Sequence, residues 1–139
     1  MEHDPVRLAD TQAWLTRAHK DLRSAEHGLR AAPPLFEDVV FHCQQAVEKA
    51  LKGLLTWHDI PFRKTHSLEE IAQQCVALDP AMKGLLDQAV PLTEYAWKFR
   101  YPGEVQGPTS EEVQEALRVG REVYNDVLTR VPFEARPLS

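Results

Sequence analysis

The chain has 139 residues, of which 43% are hydrophobic, and its formal net charge is −5. This length supplies one hydrophobic core, so we expect a single domain over residues 1–139, with residues 1–10 and 132–139 as flexible tails. The negative charge argues against broad electrostatic attraction to nucleic acid or anionic membranes, because such binding needs clustered positive charge, and any RNA contact should therefore be local.

Hydrophobic periodicity predicts a first helix over about residues 11–31, which ends before two consecutive prolines. A second helix is predicted over about residues 35–57. Its apolar residues recur at three- and four-residue steps on one face. Gln45, Lys49 and Lys52 lie on another face, which we expect to be exposed to solvent.

Local signals place the remaining helices. Ser67 and Glu70 have the spacing of a capping box, so the third helix should begin there and run to about residue 78. The dipeptide Asp79-Pro80 opens a fourth helix, which Pro91 should kink or split. A second capping-box sequence at residues 109–112 starts the last helix, which ends before another proline.

The end of the fourth helix is the one ambiguous segment. Aromatic residues alternate with other residues at positions 95–101, which is the period of a strand, but no convincing partner strand is present elsewhere in the sequence. We therefore keep the segment helical. Long amphipathic helices joined by short loops favour an all-α fold, an antiparallel up-and-down bundle of four to five helices.

Other sequence features limit the chemistry. Cys43 and Cys75 lie far apart and outside any CxxC or Cys/His spacing, so we interpret both as buried free thiols rather than a metal site. We find no glycine-rich phosphate loop and no HExxH pair, and we expect no cofactor. The absence of a long apolar run predicts no membrane-spanning helix and no signal peptide, and hence a cytoplasmic protein.

Residues 41–55 read FHCQQAVEKALKGLL and residues 64–68 read KTHSL. Together with Asp21-Leu22 and Arg100-Tyr101-Pro102, in this order, they resemble the helical signature of HEPN domains. These domains are small prokaryotic all-α modules often encoded beside a minimal nucleotidyltransferase. The resemblance covers about residues 18–127 and implies a HEPN-like bundle that works with a separately encoded nucleotidyltransferase in a toxin–antitoxin-like system.

The chain departs from the ribonuclease members of that family. Those members carry an arginine followed a few residues later by a histidine, which transfers a proton while the arginine stabilises charge on the phosphate. All six histidines of this chain precede Arg100, so the usual pair is absent. The resemblance therefore implies a subgroup without that pair. We assign no catalytic residue, and Arg100, Tyr101 and His66 are the candidates.

The same residues lead the candidates for phosphate binding. Arg100 can form two directed hydrogen bonds to a phosphate, and Tyr101 can stack on a base; alternatively, Arg100 caps a helix end and Tyr101 packs at a dimer seam. His66 and Lys64 lie beside a helix start, which suits an anion, although turn residues commonly make local hydrogen bonds instead. Lys49 is a weaker candidate, because stabilisation of a solvent-facing helix explains it better than phosphate binding does, unless another chain covers that side.

The resemblance therefore implies a HEPN-like module that is non-catalytic or weakly catalytic and binds a nucleotide or an RNA phosphate near Arg100. One alternative is a metal-independent endoribonuclease toxin that uses Arg100 with His66 or Tyr101 as an unusual base, and a further alternative is a structural partner subunit without a ligand.

In a helix the aromatic residues at positions 95–101 fall into two pairs, Tyr95 with Phe99 and Trp97 with Tyr101, on opposite faces. We also expect a homodimer, because these pairs and the tryptophans supply more large apolar groups than short helices bury alone.

Overall fold

A computed structural model describes residues 3–98 and 107–138 of the chain. These residues form six α-helices and two single-turn 3₁₀ helices, and they contain no strand. The predicted all-α bundle is therefore confirmed. The α-helices are α1 (Pro5–Arg30), α2 (Phe36–Trp57), α3 (Leu68–Leu78), α4 (Lys83–Ala89), α5 (Leu92–Lys98) and α6 (Ser110–Leu128), and the 3₁₀ turns are Pro80–Met82 and Phe133–Ala135.

Helix α2 is the centre of the bundle. It packs along α1, from which it is separated by a short connection, and it also contacts α3, α5 and α6. Its apolar face is fully buried and includes Val47, Leu51 and Leu54. No helix in the described ranges is long and apolar enough to cross a membrane.

The first helix begins earlier than predicted. Asp4 Oδ1 accepts a hydrogen bond from the Val6 amide at 2.9 Å, and Pro5 occupies the first turn, so the helix begins at Pro5 rather than near Thr11. Asp4-Pro5 is thus the cap signal, and Thr11 is buried instead. Residues 5–10, which we expected to belong to a tail, form the first turns of α1.

The C-terminal segment also packs on α1. Ala135 is fully buried, and the Gln12 side-chain amide donates to the Arg136 carbonyl oxygen at 2.8 Å. Part of the second expected tail, residues 132–138, is therefore attached to the bundle by both apolar and polar contacts.

Two helix starts test the capping boxes. The Thr109 hydroxyl accepts from the Glu112 amide at 3.1 Å, and the Glu112 carboxylate accepts from the Thr109 amide at 2.9 Å, which confirms the second box. The first box is wrong, although α3 does begin at the predicted place. Ser67 makes no side-chain cap, and Glu70 instead accepts two hydrogen bonds from Arg63, at 2.7 and 3.0 Å. A guanidinium with two matching donors competes better for this carboxylate than one backbone amide.

The fourth predicted helix begins and is interrupted where the sequence predicts. Asp79 Oδ1 accepts from the Ala81 amide at 3.1 Å and so caps the 3₁₀ turn that leads into α4. The fourth predicted helix is then split at Pro91 into α4 and α5. The segment with alternating aromatics is helical as far as Lys98, and Phe99 lies outside the described residues.

Both cysteines lie in the core as free thiols. Burial raises the pKa of Cys43 and of Cys75 to about 12. Neither thiol is therefore a reactive thiolate in the folded protein.

A glycine lets α1 approach α2 closely. A methyl group at Gly53 would lie 3.0 Å from Leu15 Cδ2 and 3.3 Å from Trp14 Cβ, whereas one at Gly84 would have no neighbour within 4 Å. The Trp14 Cβ moves only with the α1 backbone, so the two helices would have to separate to make room.

We predict opposite effects for alanine at these two glycines. Gly53→Ala should lower the free energy of unfolding by about 1 kcal/mol, because overpacking outweighs the gain in helix propensity. Gly84→Ala should raise it by about 0.5–1 kcal/mol, because only the propensity changes. Chemical denaturation of both variants checks this, and a stabilised Gly53→Ala protein would contradict the close approach.

Candidate functional site

The polar face of α2 is covered rather than exposed. Gln44, Gln45, Glu48 and Lys52 are all buried, with exposed fractions of 9% or less. The expectation of a solvated face was therefore wrong for Gln45 and Lys52. The physical reason is that α1, the connection before α3 and the end of α5 all supply groups that contact this face.

Glu48 and Lys52 form a buried ion pair one turn apart. The Lys52 ammonium group donates to Glu48 Oε2 at 3.1 Å and to the Thr65 carbonyl oxygen at 3.0 Å. It also lies 5.5 Å from the ring centroid of Trp14 and 5.7 Å from that of Phe62. Two acceptors and two aromatic faces therefore replace the water that this cation loses on burial.

The other Glu48 oxygen contacts the connection before α3. His66 Nδ1 lies 3.0 Å from Glu48 Oε1, and the Gln44 amide donates to the His66 carbonyl oxygen at 3.1 Å. Gln45 in turn donates to Gln44 Oε1 at 2.7 Å, which fixes the orientation of the Gln44 amide. The His66 side chain is nevertheless 66% exposed, so the ring is anchored at Nδ1 and otherwise open.

A second histidine has the same relation to a carboxylate. His42 Nδ1 lies 2.8 Å from Asp21 Oδ1, and the Lys49 ammonium group donates to Asp21 Oδ2 at 2.6 Å. Asp21 is buried, although it belongs to α1. The charge of Lys49 is therefore compensated within the fold, which weakens Lys49 as a phosphate ligand.

Aromatic rings connect the two histidines. The centroid of the Trp97 ring lies 5.3 Å from that of Phe41 and 5.8 Å from that of His66, and the Phe41 ring lies 5.5 Å from the His42 ring. We call these four residues the histidine–tryptophan face. It combines flat apolar rings with two imidazoles, each bonded through Nδ1 to a buried carboxylate.

Comparison with known proteins identifies the fold. The sequence profile of the HEPN domain family matches residues 11–130. The chain belongs to the HEPN domain family. It is 29% identical over 133 residues to a Methanocaldococcus jannaschii protein named "Putative toxin MJ1304", with 85% of this chain and 86% of that protein covered. No solved structure is a significant match.

The HEPN bundle brings some of the predicted site residues together. His66 belongs to the histidine–tryptophan face. Lys49 donates a hydrogen bond to Asp21, which also contacts His42 of that face. Lys64 is exposed in the same connection as His66. Arg100 and Tyr101 lie outside the described residues. In the part of the chain that the structure describes, no group of three histidine, cysteine or acidic side chains could hold a metal ion.

Sequence reasoning missed the carboxylates that orient the histidines. Asp21 lies between Ala18, Leu22 and Ala25 on the buried stripe of α1, and a charged residue at that spacing was the available signal for a buried partner. Glu48 gave a weaker signal, because an i,i+4 pair with Lys52 is common on exposed helices.

We predict that Lys52→Met destabilises this HEPN domain strongly. Methionine keeps much of the side-chain volume but leaves Glu48 buried without its cation, which typically costs roughly 3–5 kcal/mol. The matched control is Lys83→Met, which removes the lysine of another i,i+4 pair, Lys83–Asp87, whose side chains are 67% and 62% exposed. Exposed pairs contribute only about 0.2–1 kcal/mol, so the control should melt like the parent. Equal effects of the two substitutions in denaturation experiments would contradict the buried pair.

Proposed function

We propose that this HEPN domain binds a nucleotide or an RNA phosphate at the histidine–tryptophan face. The proposal rests on one observation, two carboxylate-bonded imidazoles that are connected through the Phe41 and Trp97 rings. Stacking of a base on an aromatic side chain contributes about 1–3 kcal/mol, and the imidazoles add polar contacts to the sugar–phosphate part. Such a face suits an unpaired nucleotide, whose base is free to stack.

The positive charge for a phosphate has to come from residues around that face. Lys49 and Lys52 are already paired with buried carboxylates. Lys64 is exposed and lies two residues before His66, and Arg100 and Tyr101 follow closely after the last residue of α5. We propose Arg100 as the principal phosphate ligand, because its guanidinium can donate two directed bonds whereas a lysine supplies one screened charge.

Metal-independent RNA cleavage is the second candidate function. It is favoured by the hydrogen bond between His66 and Glu48, because a carboxylate that holds one imidazole nitrogen leaves the other available for proton transfer. Arg100 would stabilise charge on the phosphate in such a reaction. The similarity to a protein with "toxin" in its name is compatible with this activity.

We further propose that the domain acts as a homodimer and with a separately encoded nucleotidyltransferase in a toxin–antitoxin-like system. The nucleotidyltransferase partner is supported by membership of the HEPN family, whose domains are often encoded beside such a protein. The homodimer is supported by large apolar side chains that remain exposed, including Leu35 at 48% and Phe133 at 78%.

We predict that Arg100→Ala weakens binding of AMP, ATP or a short single-stranded RNA. Loss of a charge-assisted contact of about 1.5–3 kcal/mol corresponds to roughly ten- to a hundred-fold in affinity. Arg23→Ala, which removes an exposed arginine from α1, is the matched control and should bind like the parent. Tyr101→Phe separates a stacking role from a hydroxyl role. Isothermal titration calorimetry measures all four proteins.

The same RNA samples distinguish the alternatives. RNA cleavage that is resistant to chelators and lost in His66→Ala would favour the ribonuclease. No binding by the parent would favour a structural subunit without a ligand. Equal binding by the parent and all three variants would instead remove Arg100 and Tyr101 from the binding site.

We predict a dimer at micromolar concentration in sedimentation velocity. Purification from the native cell, followed by mass spectrometry, should recover a nucleotidyltransferase in stoichiometric amount. A monomeric mass would contradict the homodimer, and recovery of the HEPN chain alone would contradict the nucleotidyltransferase partnership.

A further inference from the structure

The hydrogen bonds of Glu48 determine where the proton of His66 lies. A carboxylate paired with an ammonium group offers only acceptors, so the His66 Nδ1 at 3.0 Å from Glu48 Oε1 is the donor. The other contacts of this carboxylate, from Lys52 and Gln44, are donors as well. In the neutral imidazole the single proton is therefore on Nδ1, and Nε2 carries a lone pair.

The orientation of the ring is fixed by its surroundings. The Gln44 amide holds the His66 carbonyl oxygen and the Lys52 ammonium group holds the Thr65 carbonyl oxygen, so the backbone is anchored at two successive residues. Glu48 is 3% exposed whereas the His66 side chain is 66% exposed. Because Nδ1 faces the buried carboxylate, we infer that the exposed part of the ring includes Nε2. The centroid of the His66 ring lies 5.8 Å from that of Trp97.

We propose that His66 Nε2 accepts a hydrogen bond from a ribose hydroxyl of the ligand, so that the site takes ribonucleotides in preference to deoxyribonucleotides. This inference rests on the proposed nucleotide-binding function. A lone pair cannot donate to a phosphate oxygen, but it can accept from a hydroxyl, and the 2′-hydroxyl is the donor that DNA lacks. Glu48 is the positioning residue, because it sets the tautomer and the direction of the ring. The His42 ring is bonded to Asp21 in the same way but is only 31% exposed, so His66 is the more accessible acceptor.

The tautomer can be measured without any ligand. Long-range ¹H–¹⁵N NMR spectra of the full chain at alkaline pH, where imidazoles are neutral, should show His66 protonated at Nδ1 and unprotonated at Nε2. Glu48→Gln should reverse this. Lys52 can only donate, so the new amide should keep its oxygen towards Lys52 and turn its NH₂ group towards His66 Nδ1, which moves the proton to Nε2. A parent ring protonated at Nε2 would overturn the positioning role of Glu48.

Binding experiments test the ribose assignment. The parent should bind AMP about ten-fold more tightly than 2′-deoxy-AMP, the ratio expected for one hydrogen bond to a hydroxyl. His66→Phe should still fold, because Lys52 and Gln44 continue to donate to Glu48, and it should bind both nucleotides equally. Glu48→Gln should also lose the preference. His27→Phe, at an exposed histidine of α1, should retain it.

Each remaining outcome has a separate meaning. Equal affinity of the parent for the two nucleotides would overturn the ribose assignment while leaving nucleotide binding in place. Failure to bind either nucleotide would contradict the proposed function, and with it the ribose assignment, whereas the NMR spectra would still decide whether Glu48 sets the His66 tautomer.

Discussion

The ion pair between Glu48 and Lys52 is the interaction on which the polar side of the bundle depends. Burial of two charges costs several kcal/mol per ion, and replacement of such a pair by apolar residues is often neutral or stabilising. Stability alone therefore does not explain its presence. Each ion has a further polar contact with the connection before α3, since Lys52 bonds to Thr65 and Glu48 bonds to His66. The pair thus holds a loop against a helix at a defined position.

This attachment fixes the position of a loop residue, His66, as firmly as that of a residue in a helix. Gln44, Glu48 and Lys52 follow one another at four-residue steps, so they form one row along α2. All three contact Thr65 or His66. Functional groups held by rigid elements and by their own hydrogen bonds keep a productive geometry better than groups on free loops. The open ring of His66 is therefore a preorganised group, unlike the exposed Lys64 in the same connection.

The bundle was predictable because its signals are local. Asp79-Pro80 and the box at Thr109 and Glu112 determine where helices begin, and a proline at position 91 interrupts one, so neighbouring residues were enough. The failures also have local causes. Glu70 matched a capping box, but Arg63, seven residues earlier, offered it a better pair of donors. Asp4-Pro5 was a sufficient start signal for α1 that hydrophobic periodicity, which begins later, obscured.

The candidate site was less predictable because its parts come from distant segments. Periodicity shows that one face of α2 is polar, but it does not show what covers that face. The cover comes from Asp21 on α1, His66 in the connection and Trp97 on α5. A polar helix face in an isolated sequence is most simply interpreted as solvated. In this fold the same residues are buried and paired, and one of them, Glu48, orients the His66 imidazole. A charged residue within the apolar stripe of a neighbouring helix, such as Asp21, is therefore the sequence feature that distinguishes a covered polar face from a solvated one. A buried charge needs a partner from another part of the chain.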